Sequence, residues 1–232
     1  MRLVDPVSAA KFRPDGMPRP YPGITISAPL RRDPTIIAAL NRLCAMLRGL
    51  PCAAAFSFLP PSCWHMTVMR GVNLRRRHDA WPRGLARGAS LSYLARSMQD
   101  RLQPVALPSE LRLVVSGVEL TGAGDIRLVL NPAGSGRSTR LYRLRERMAR
   151  ALHHSDPGLR GPLHLTLAYR TRPILADTEA QLAAALRAKM AGSNGKIIGA
   201  GITFGRPALI IYRHMWDFSH HCGRSGARPL PR

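Results

Sequence analysis

The chain has 232 residues, enough for one large domain or two small lobes that share a core, and 45% hydrophobic residues suffice for a packed interior. No apolar run reaches the roughly 18 residues of a membrane span, and the N-terminus lacks the apolar stretch of a secretory signal, so we expect a cytoplasmic protein. The 35 Lys and Arg residues against 13 Asp and Glu residues give a formal net charge of +22, which favours anionic ligands such as phosphates over cationic ones.

The N-terminal part of the chain predicts an arm, a strand and a helix. Residues 1–22 carry several prolines and are expected to form an irregular N-terminal arm that leads into a strand near 24–26. Asp33 is a favourable N-cap, and Pro34 suits the first helical position. Apolar residues then recur at helical spacing until Gly49, so we expect an amphipathic helix that ends there.

Two strands, a polar segment and a second helix are predicted next. Short apolar runs predict strands at 54–59 and directly after the Pro60-Pro61 turn, because proline cannot donate to a sheet ladder. The polar segment 70–88, which contains Arg75-Arg76-Arg77, is expected to be a long surface loop. Ser90 is expected to begin the second helix.

The second half predicts a similar arrangement of strands and helices. Strands are predicted at 111–120 and 126–131, and Ser138 is expected to cap a helix with an apolar inner face. The outer face of that helix carries arginines: Arg140, Arg143, Arg145, Arg147 and Arg150. The remaining predicted elements are a helix from Asp177, strands at 201–204 and 208–213, and a disordered basic tail at 220–232. This order predicts an α+β protein of two similar lobes, each an antiparallel sheet backed by helices.

One short pattern occurs twice, once in each half of the chain. His65-Met66-Thr67-Val68 and His164-Leu165-Thr166-Leu167 each place a histidine and a threonine two positions apart within an apolar run. Alternate side chains along a strand share a face, so each histidine is expected to point the same way as its threonine. If the two halves face each other, the two pairs form a single site.

Two imidazoles and two hydroxyls suit the cleavage of a phosphodiester without a metal ion. Imidazole titrates near pH 6.5, so a neutral histidine can accept a proton from the attacking oxygen while a protonated one donates to the leaving oxygen. Threonine hydroxyls can donate hydrogen bonds to the non-bridging oxygens, which carry the charge. The sequence leaves open which of His65 and His164 is the base and which is the acid.

No metal or other cofactor is expected. The 13 acidic residues are spread along the chain, and the four cysteines lack the spacing of a zinc site. We therefore interpret the cysteines as reduced thiols that serve as small apolar residues.

The two motifs resemble the signature of the two-histidine (2H) phosphoesterase superfamily, which contains cyclic phosphodiesterases and 2′,5′ RNA ligase-like proteins. The longer strings LPPSCWHMTV at 59–68 and LHLTLAY at 163–169 look like a bacterial branch of that superfamily. Further similarities are the strings at 11–16, 21–23 and 215–218, so the resemblance covers most of the chain.

The resemblance implies a bilobal fold with pseudo-twofold symmetry. Residues 23–219 would form a single domain in which two antiparallel sheets, backed by helices, surround a central cleft. It also implies catalytic roles for His65 and His164 and phosphate binding by Thr67 and Thr166. The implied substrates carry a 2′,3′-cyclic phosphate, a 2′,5′ linkage or another cyclic nucleotide phosphodiester.

Tyr169, Tyr21 and Trp216 are weaker substrate-binding candidates. The resemblance implies a ligand contact for Tyr169, although regular alternation places it on the face opposite His164 unless the strand ends or bulges there. Tyr21 lies on a segment that could cross the mouth of the cleft, and Trp216 could stack on a nucleotide base.

Two other functions are compatible with the sequence. The net charge, the arginine-rich helix and the arginines at 75–77 also fit a non-catalytic RNA-binding protein. An enzyme of RNA end processing or 2′,5′ ligation would use the same two motifs on a longer polyanion. The identity and length of the substrate and the oligomeric state stay open.

Overall fold

A computed structural model describes residues 3–5, 7–50, 52–76, 81–134, 137–156, 158–191 and 197–218. The predicted tail at 220–232 and Arg77 lie outside the described residues. Within them the elements are, in chain order, β1 (Leu3–Val4), β2 (Gly23–Pro29), α1 (Pro34–Arg48), β3 (Phe56–Phe58), β4 (His65–Asn73), α2 (Leu91–Leu102), β5 (Leu111–Leu120), β6 (Asp125–Pro132), α3 (Arg137–Leu152), β7 (Leu163–Arg170), β8 (Ile174–Leu175), α4 (Ala176–Ala191), β9 (Gly201–Phe204) and β10 (Ala208–Tyr212). None of the helices described is long and apolar enough to cross a membrane.

The strands form two antiparallel groups that meet at the two motif strands. One group has the order β10-β2-β4 and the other β7-β6-β5-β9. The groups are joined by the register pair Met66–Leu165 of β4 and β7, while β3 pairs with a further part of β7. A bridge between Leu30 and Phe204 links the chain after β2 to β9, so the sheet curls around. The predicted α+β fold of two antiparallel lobes backed by helices is confirmed.

The chain exchanges strands between the two groups. Strand β10, from the end of the described chain, pairs with β2 in the first group. Strand β3, which precedes the first motif, pairs with the second motif strand β7. Neither lobe is therefore built from one continuous half of the chain, and each motif strand is held in place by segments distant in sequence.

Helix α1 illustrates how local sequence determines the helix ends. The Asp33 carboxylate accepts hydrogen bonds from the backbone N–H groups of Thr35 and Ile36 at 2.8 and 3.2 Å. The helix then buries an apolar face and ends at Arg48, just before Gly49. Elsewhere α3 packs against β4 and β6, α2 packs against α3, and α4 packs against β5.

Helix α3 differs from the sequence-based prediction in two respects. It begins at Arg137, so Ser138 lies inside its first turn and is not its N-cap. Arg145 was predicted on the outer face but is 5% exposed, and its guanidinium donates to the carbonyl oxygens of Gly158 and Gly161 at 2.7 and 3.4 Å. The segment that follows α3 folds back over this side of the helix and covers Arg145.

The predicted surface loop 70–88 is wrong at its start. Strand β4 continues to Asn73, so residues 70–73 pair with β2 instead of forming a loop. A short 3₁₀ helix at Leu74–Arg76 follows, where Arg75 is exposed. The extension of β4 brings Arg70 onto a regular strand whose start carries the first motif.

A buried arginine ties the N-terminal arm to the second motif strand. Arg170, at the end of β7, is fully buried, and its guanidinium donates to the Glu179 carboxylate at 2.7 Å and to the Asp5 carbonyl at 3.1 Å. The Ser8 hydroxyl donates to the Arg170 carbonyl. A buried cation needs such partners because its desolvation is costly. The first residues of the arm are thus anchored beside the end of β7.

Close approach of β2 to β4 depends on Gly71. A Cβ at position 71 would lie 2.3 Å from the carbonyl oxygen of Ile24, whereas no atom of the described residues lies within 4 Å of a Cβ placed at Gly117 in β5. We expect Gly71→Ala to lower the free energy of unfolding by about 1–3 kcal/mol, as overpacking does, and Gly117→Ala to change it by less than about 0.5 kcal/mol. Urea denaturation of both variants measures the difference, and equal stabilities would contradict the tight β2–β4 contact.

Candidate active site

The motif strands alternate between the core and the opposite face. Met66 and Val68 are fully buried, whereas His65 and Thr67 on the other side of β4 are partly exposed. Strand β7 shows the same pattern, with two fully buried and two partly exposed residues: Leu165 and Leu167, then His164 and Thr166. The partly exposed pairs lie on the side of the sheet opposite these buried residues, which we call the cleft face.

The register between the two strands brings the motifs side by side. Because β4 and β7 are antiparallel and Met66 pairs with Leu165, His65 lies beside Thr166 and Thr67 beside His164. Diagonal neighbours across such a pair have Cβ atoms roughly 7 Å apart, which leaves room between the imidazoles for a tetrahedral phosphate. The two imidazoles are close enough that the charge of His164 contributes to lowering the pKa of His65.

Both imidazoles are oriented by the same kind of hydrogen bond. Nδ1 of His65 lies 2.7 Å from the carbonyl oxygen of Cys63, and Nδ1 of His164 lies 3.3 Å from that of Pro162. A carbonyl oxygen only accepts, so Nδ1 carries the proton in each neutral ring. The lone pair is then on Nε2, and each histidine can act as a base through that atom.

Burial keeps both histidines neutral near physiological pH. It lowers the pKa of His65 to about 4, despite the opposing hydrogen bond to Cys63. Phe218 covers the ring of His65 in a stacked arrangement, with centroids 4.0 Å apart and planes 9° apart. Burial also lowers the pKa of His164, and the neighbouring Arg127 adds to that effect.

A β-bulge in each motif strand adds a third residue to the cleft face. Val68 is an extra residue in β4 relative to β2, and Leu167 is an extra residue in β7 relative to β6. Each bulge reverses the alternation of side chains beyond it. Arg70 and Tyr169, each five residues after a motif histidine, are therefore exposed or partly exposed on the same face as the motifs.

Tyr169 thus lies where uninterrupted alternation would not place it. Burial and the nearby Asp125 carboxylate raise the pKa of its phenol, and the Thr166 side chain lies close enough to oppose that effect. Its ring also contacts Phe12, with centroids 5.2 Å apart, and the ammonium of Lys11 at 4.6 Å from its centroid. The phenol therefore stays protonated and connects the second motif to the N-terminal arm.

Arg70 is a site residue that the sequence does not predict, because the segment that contains it is expected to be a loop. Its backbone N–H donates to the Asp156 carboxylate at 3.1 Å, and its carbonyl oxygen lies 2.9 Å from Nε2 of His154. Its exposed side chain passes close to Gly158, where a Cβ would lie 3.2 Å from Cζ. The equal spacing of Arg70 and Tyr169 from their histidines was the one signal in the sequence that could have identified it.

Arg127 brings a second cation to the site. It is the direct partner of Thr166 across β6 and β7, and it forms an ion pair with Glu119 at 2.6 Å. Its charge and that of Arg70 both lower the pKa of His164. These two guanidiniums favour an anionic ligand beside the second motif.

Tyr21 and Trp216, the other predicted substrate contacts, lie in different parts of the structure. Tyr21 is 6% exposed, and its ring lies 6.0 Å from the ammonium of Lys11, which also faces Tyr169. Trp216 is partly exposed, and its carbonyl oxygen accepts from the Cys63 thiol. Its buried indole Nε1 has no hydrogen-bond partner among the residues that the structure describes. Tyr21 therefore belongs to the Tyr169 side of the cleft, whereas Trp216 supports the segment that precedes His65.

The cleft face can be compared with the features that mark metal sites and ligand cavities in the described part of the chain. Among the residues that the structure describes, no group of three or more His, Cys, Asp or Glu side chains is arranged to hold a metal ion. A cavity of about 460 Å³ lies elsewhere, between α3 and β5, and its walls include neither motif histidine.

Comparisons with known proteins bear on the family and the fold of the chain. Residues 11–124 match the family model 2H-phosphodiest, described as "Domain of unknown function (DUF1868)". A crystal structure of a conserved protein of unknown function, ATU0111 from Agrobacterium tumefaciens str. C58, is similar with a TM-score of 0.77 and 22% identity, covering 91% of this chain and 89% of the other. At this identity the likeness supports the fold alone. No curated protein matches the chain.

The lowered pKa of His65 predicts a loss of stability in acid. The unfolded chain binds a proton near pH 6.5 and the folded chain only near pH 4, so the unfolded state gains protons first as the pH falls. Between pH 7 and pH 5 we therefore expect the free energy of unfolding to fall in the wild type. The fall should be about 2 kcal/mol larger than in the His65→Gln variant, which lacks this imidazole.

Urea denaturation at both pH values measures this difference. His153→Gln is the matched control, because His153 is exposed at the end of α3. The free energy of unfolding of His153→Gln should change with pH as it does in the wild type. If His65→Gln also followed the wild type, His65 would not be held neutral by the fold.

Proposed function

We propose that this chain, which belongs to the 2H phosphoesterase superfamily, is a metal-independent phosphodiesterase that hydrolyses cyclic or 2′,5′-linked nucleotide phosphodiesters. Family membership points to a phosphodiesterase-type enzyme. The observation that carries the finer proposal is the diagonal arrangement of two neutral imidazoles, each beside the threonine of the other motif. This arrangement supports a mechanism in which one imidazole acts on either side of a phosphorus atom.

Hydrolysis follows from these positions as an in-line displacement. Nε2 of one neutral histidine accepts a proton from water as the water oxygen forms a bond to phosphorus. The bond from phosphorus to the leaving oxygen breaks, and the second histidine, protonated on Nε2, donates its proton to that oxygen. The product is a phosphomonoester, and proton exchange with solvent resets the two rings. Each acid or base step contributes about 10²–10⁴-fold.

We assign the base to His65 and the acid to His164. Burial under Phe218 keeps His65 unprotonated well below neutral pH. His164 is less enclosed, and the Asp125 carboxylate acts to raise its pKa against the effects of burial and Arg127. A bound phosphate anion adds a further negative charge between the rings, which favours the protonated form of His164.

The remaining residues of the cleft face stabilise the phosphate. The hydroxyls of Thr67 and Thr166 can donate to its non-bridging oxygens. Arg127, adjacent to Thr166, and Arg70, adjacent to the first motif, add positive charge where negative charge accumulates. The formal net charge of +22 attracts anionic substrates to the whole protein.

Exposed arginines on α3 favour a second candidate function, in which the protein binds RNA or processes its ends. Four side chains recur about once per turn along one exposed face: Arg140, Arg143, Arg147 and Arg150. Such a row suits the backbone of a nucleic acid. In this case the same cleft would act on a longer polyanion, or the surface would bind RNA without catalysis.

Loss of either motif histidine should abolish most of the activity. We expect His65→Ala and His164→Ala each to reduce kcat by at least about 100-fold on the preferred substrate, because each removes one proton-transfer step. The assay compares 2′,3′-cyclic, 3′,5′-cyclic, cyclic dinucleotide and 2′,5′-linked substrates, with and without EDTA. EDTA should leave the wild-type rate unchanged.

His153→Ala serves as the control for histidine loss, and circular dichroism checks that each variant is folded. Full activity in a folded His65→Ala or His164→Ala variant would contradict the two-histidine mechanism. Inactivation by EDTA would contradict its independence of metal.

The salt dependence of RNA affinity tests whether the exposed arginines of α3 bind RNA. We expect the double variant His65→Ala/His164→Ala to retain RNA affinity, with log Kd rising linearly with log salt. Adding Arg143→Ala and Arg147→Ala should reduce that slope by about 1.4, since each phosphate contact with a single strand contributes about 0.7. An unchanged slope in a filter-binding series would show that RNA does not contact this face.

A further inference from the structure

The N-terminal arm brings a lysine to the cleft face. Lys11 is one of three lysines in a chain whose other basic residues are arginines. Its ammonium lies 4.6 Å from the ring centroid of Tyr169 and 6.0 Å from that of Tyr21. Neither motif contains Lys11, and the mechanism above does not use it.

The arm holds Lys11 in a defined position. The next residue, Phe12, is 1% exposed and packs against the Tyr169 ring. The Arg19 backbone N–H donates to the Lys11 carbonyl at 2.7 Å, which closes a small hairpin. At its turn, Gly16 has a φ of +86°, and its carbonyl oxygen accepts from the Ser57 hydroxyl at 2.8 Å. The backbone of Lys11 is therefore ordered on both sides.

The charge of Lys11 is not neutralised by an ion pair. Within the part of the chain that the structure describes, no carboxylate lies within 4 Å of its ammonium. Asp125 acts on the Tyr169 phenol but lies beyond ion-pair distance of Lys11. A partly buried ammonium that faces two aromatic rings is stabilised by them, yet it keeps its capacity to donate to an anion.

A single phenol ring connects Lys11 to the proposed phosphate site. The Tyr169 phenol lies close enough to the Thr166 side chain for Thr166 to lower the phenol's pKa, and the face of the same ring contacts the Lys11 ammonium. The ammonium and the threonine hydroxyl are thus separated by little more than one aromatic ring. A nucleotide whose scissile phosphate lies at the motifs has its next phosphate at a comparable separation.

We propose that Lys11, together with the rings of Tyr21 and Tyr169, forms a subsite for a second phosphate group of the substrate, one nucleotide unit from the scissile phosphodiester. This inference rests on the proposed function and specifies its substrate class. The second phosphate can be the 5′-phosphomonoester of a mononucleotide or the internal phosphodiester of an oligonucleotide. Both present the same anionic oxygens to the ammonium.

Equilibrium binding tests the subsite independently of catalysis. The ligands are a nucleoside 3′-phosphate, the corresponding 3′,5′-bisphosphate, and a dinucleotide with a 3′-terminal phosphate, each titrated calorimetrically into the wild type, Lys11→Met and Lys11→Arg. We expect Lys11→Met to weaken binding of the bisphosphate about tenfold and that of the monophosphate less than about twofold, because only the former loses a charged contact. Lys11→Arg keeps the charge and should retain the preference for the bisphosphate.

Each result of these titrations either supports or overturns the proposed second phosphate subsite. Equal weakening of all three ligands by Lys11→Met, or no weakening of any, would overturn it and leave Lys11 as a packing contact of the arm. A loss confined to the bisphosphate identifies the 5′-phosphomonoester as the source, and a loss confined to the dinucleotide identifies the internal phosphodiester.

A failure of the proposed function is recognised separately. In that case the wild type hydrolyses none of the cyclic or 2′,5′-linked substrates, while the binding preference can still be measured. Thermal denaturation of Lys11→Met checks that the arm stays folded, and steady-state kinetics on the 5′-phosphorylated cyclic substrate should show the change in KM, with kcat nearly unchanged.

Discussion

The pairing of Met66 with Leu165 is the contact on which the rest of the site depends. It joins the two lobes through their motif strands and sets the register that puts each histidine beside the threonine of the other strand. A shift of one residue would turn both histidines toward the core, because side chains alternate with a period of two. The full burial of both paired residues, at 0% exposure, holds that register, since an apolar pair gains most when it stays in the core.

The two bulges extend this symmetry. Val68 and Leu167 interrupt their strands at the same distance from the motif histidines, so Arg70 and Tyr169 occupy corresponding places in the two lobes. The places correspond but the chemistry differs, since one lobe offers a guanidinium and the other a phenol. The two lobes therefore have similar backbones but present different side chains to the cleft face. This asymmetry suits a reaction in which the attacking oxygen loses a proton and the leaving oxygen gains one.

The electrostatics of the cleft combine two opposing requirements. A highly basic chain attracts phosphates, yet the histidine proposed as the base must be neutral to accept a proton. Burial meets the second requirement by lowering the pKa of both imidazoles, and the stacking of Phe218 on His65 strengthens it. Arg127 adds positive charge beside Thr166, and Asp125 opposes its lowering of the pKa of His164.

The sequence by itself determined the helices, most strands and the two motif pairs, because these follow from local caps such as Asp33 and from apolar periodicity that short segments carry. It also predicted the two-lobed α+β class through the repeated order of elements. Only the tertiary structure decided that Arg70 lies on a strand, that Arg145 is buried and that Tyr169 shares the cleft face. Each of these depends on a partner distant in sequence: β2 extends β4, the segment after α3 covers Arg145, and pairing with β6 creates the bulge before Tyr169. Periodicity describes one strand at a time, whereas a bulge exists only relative to the neighbouring strand.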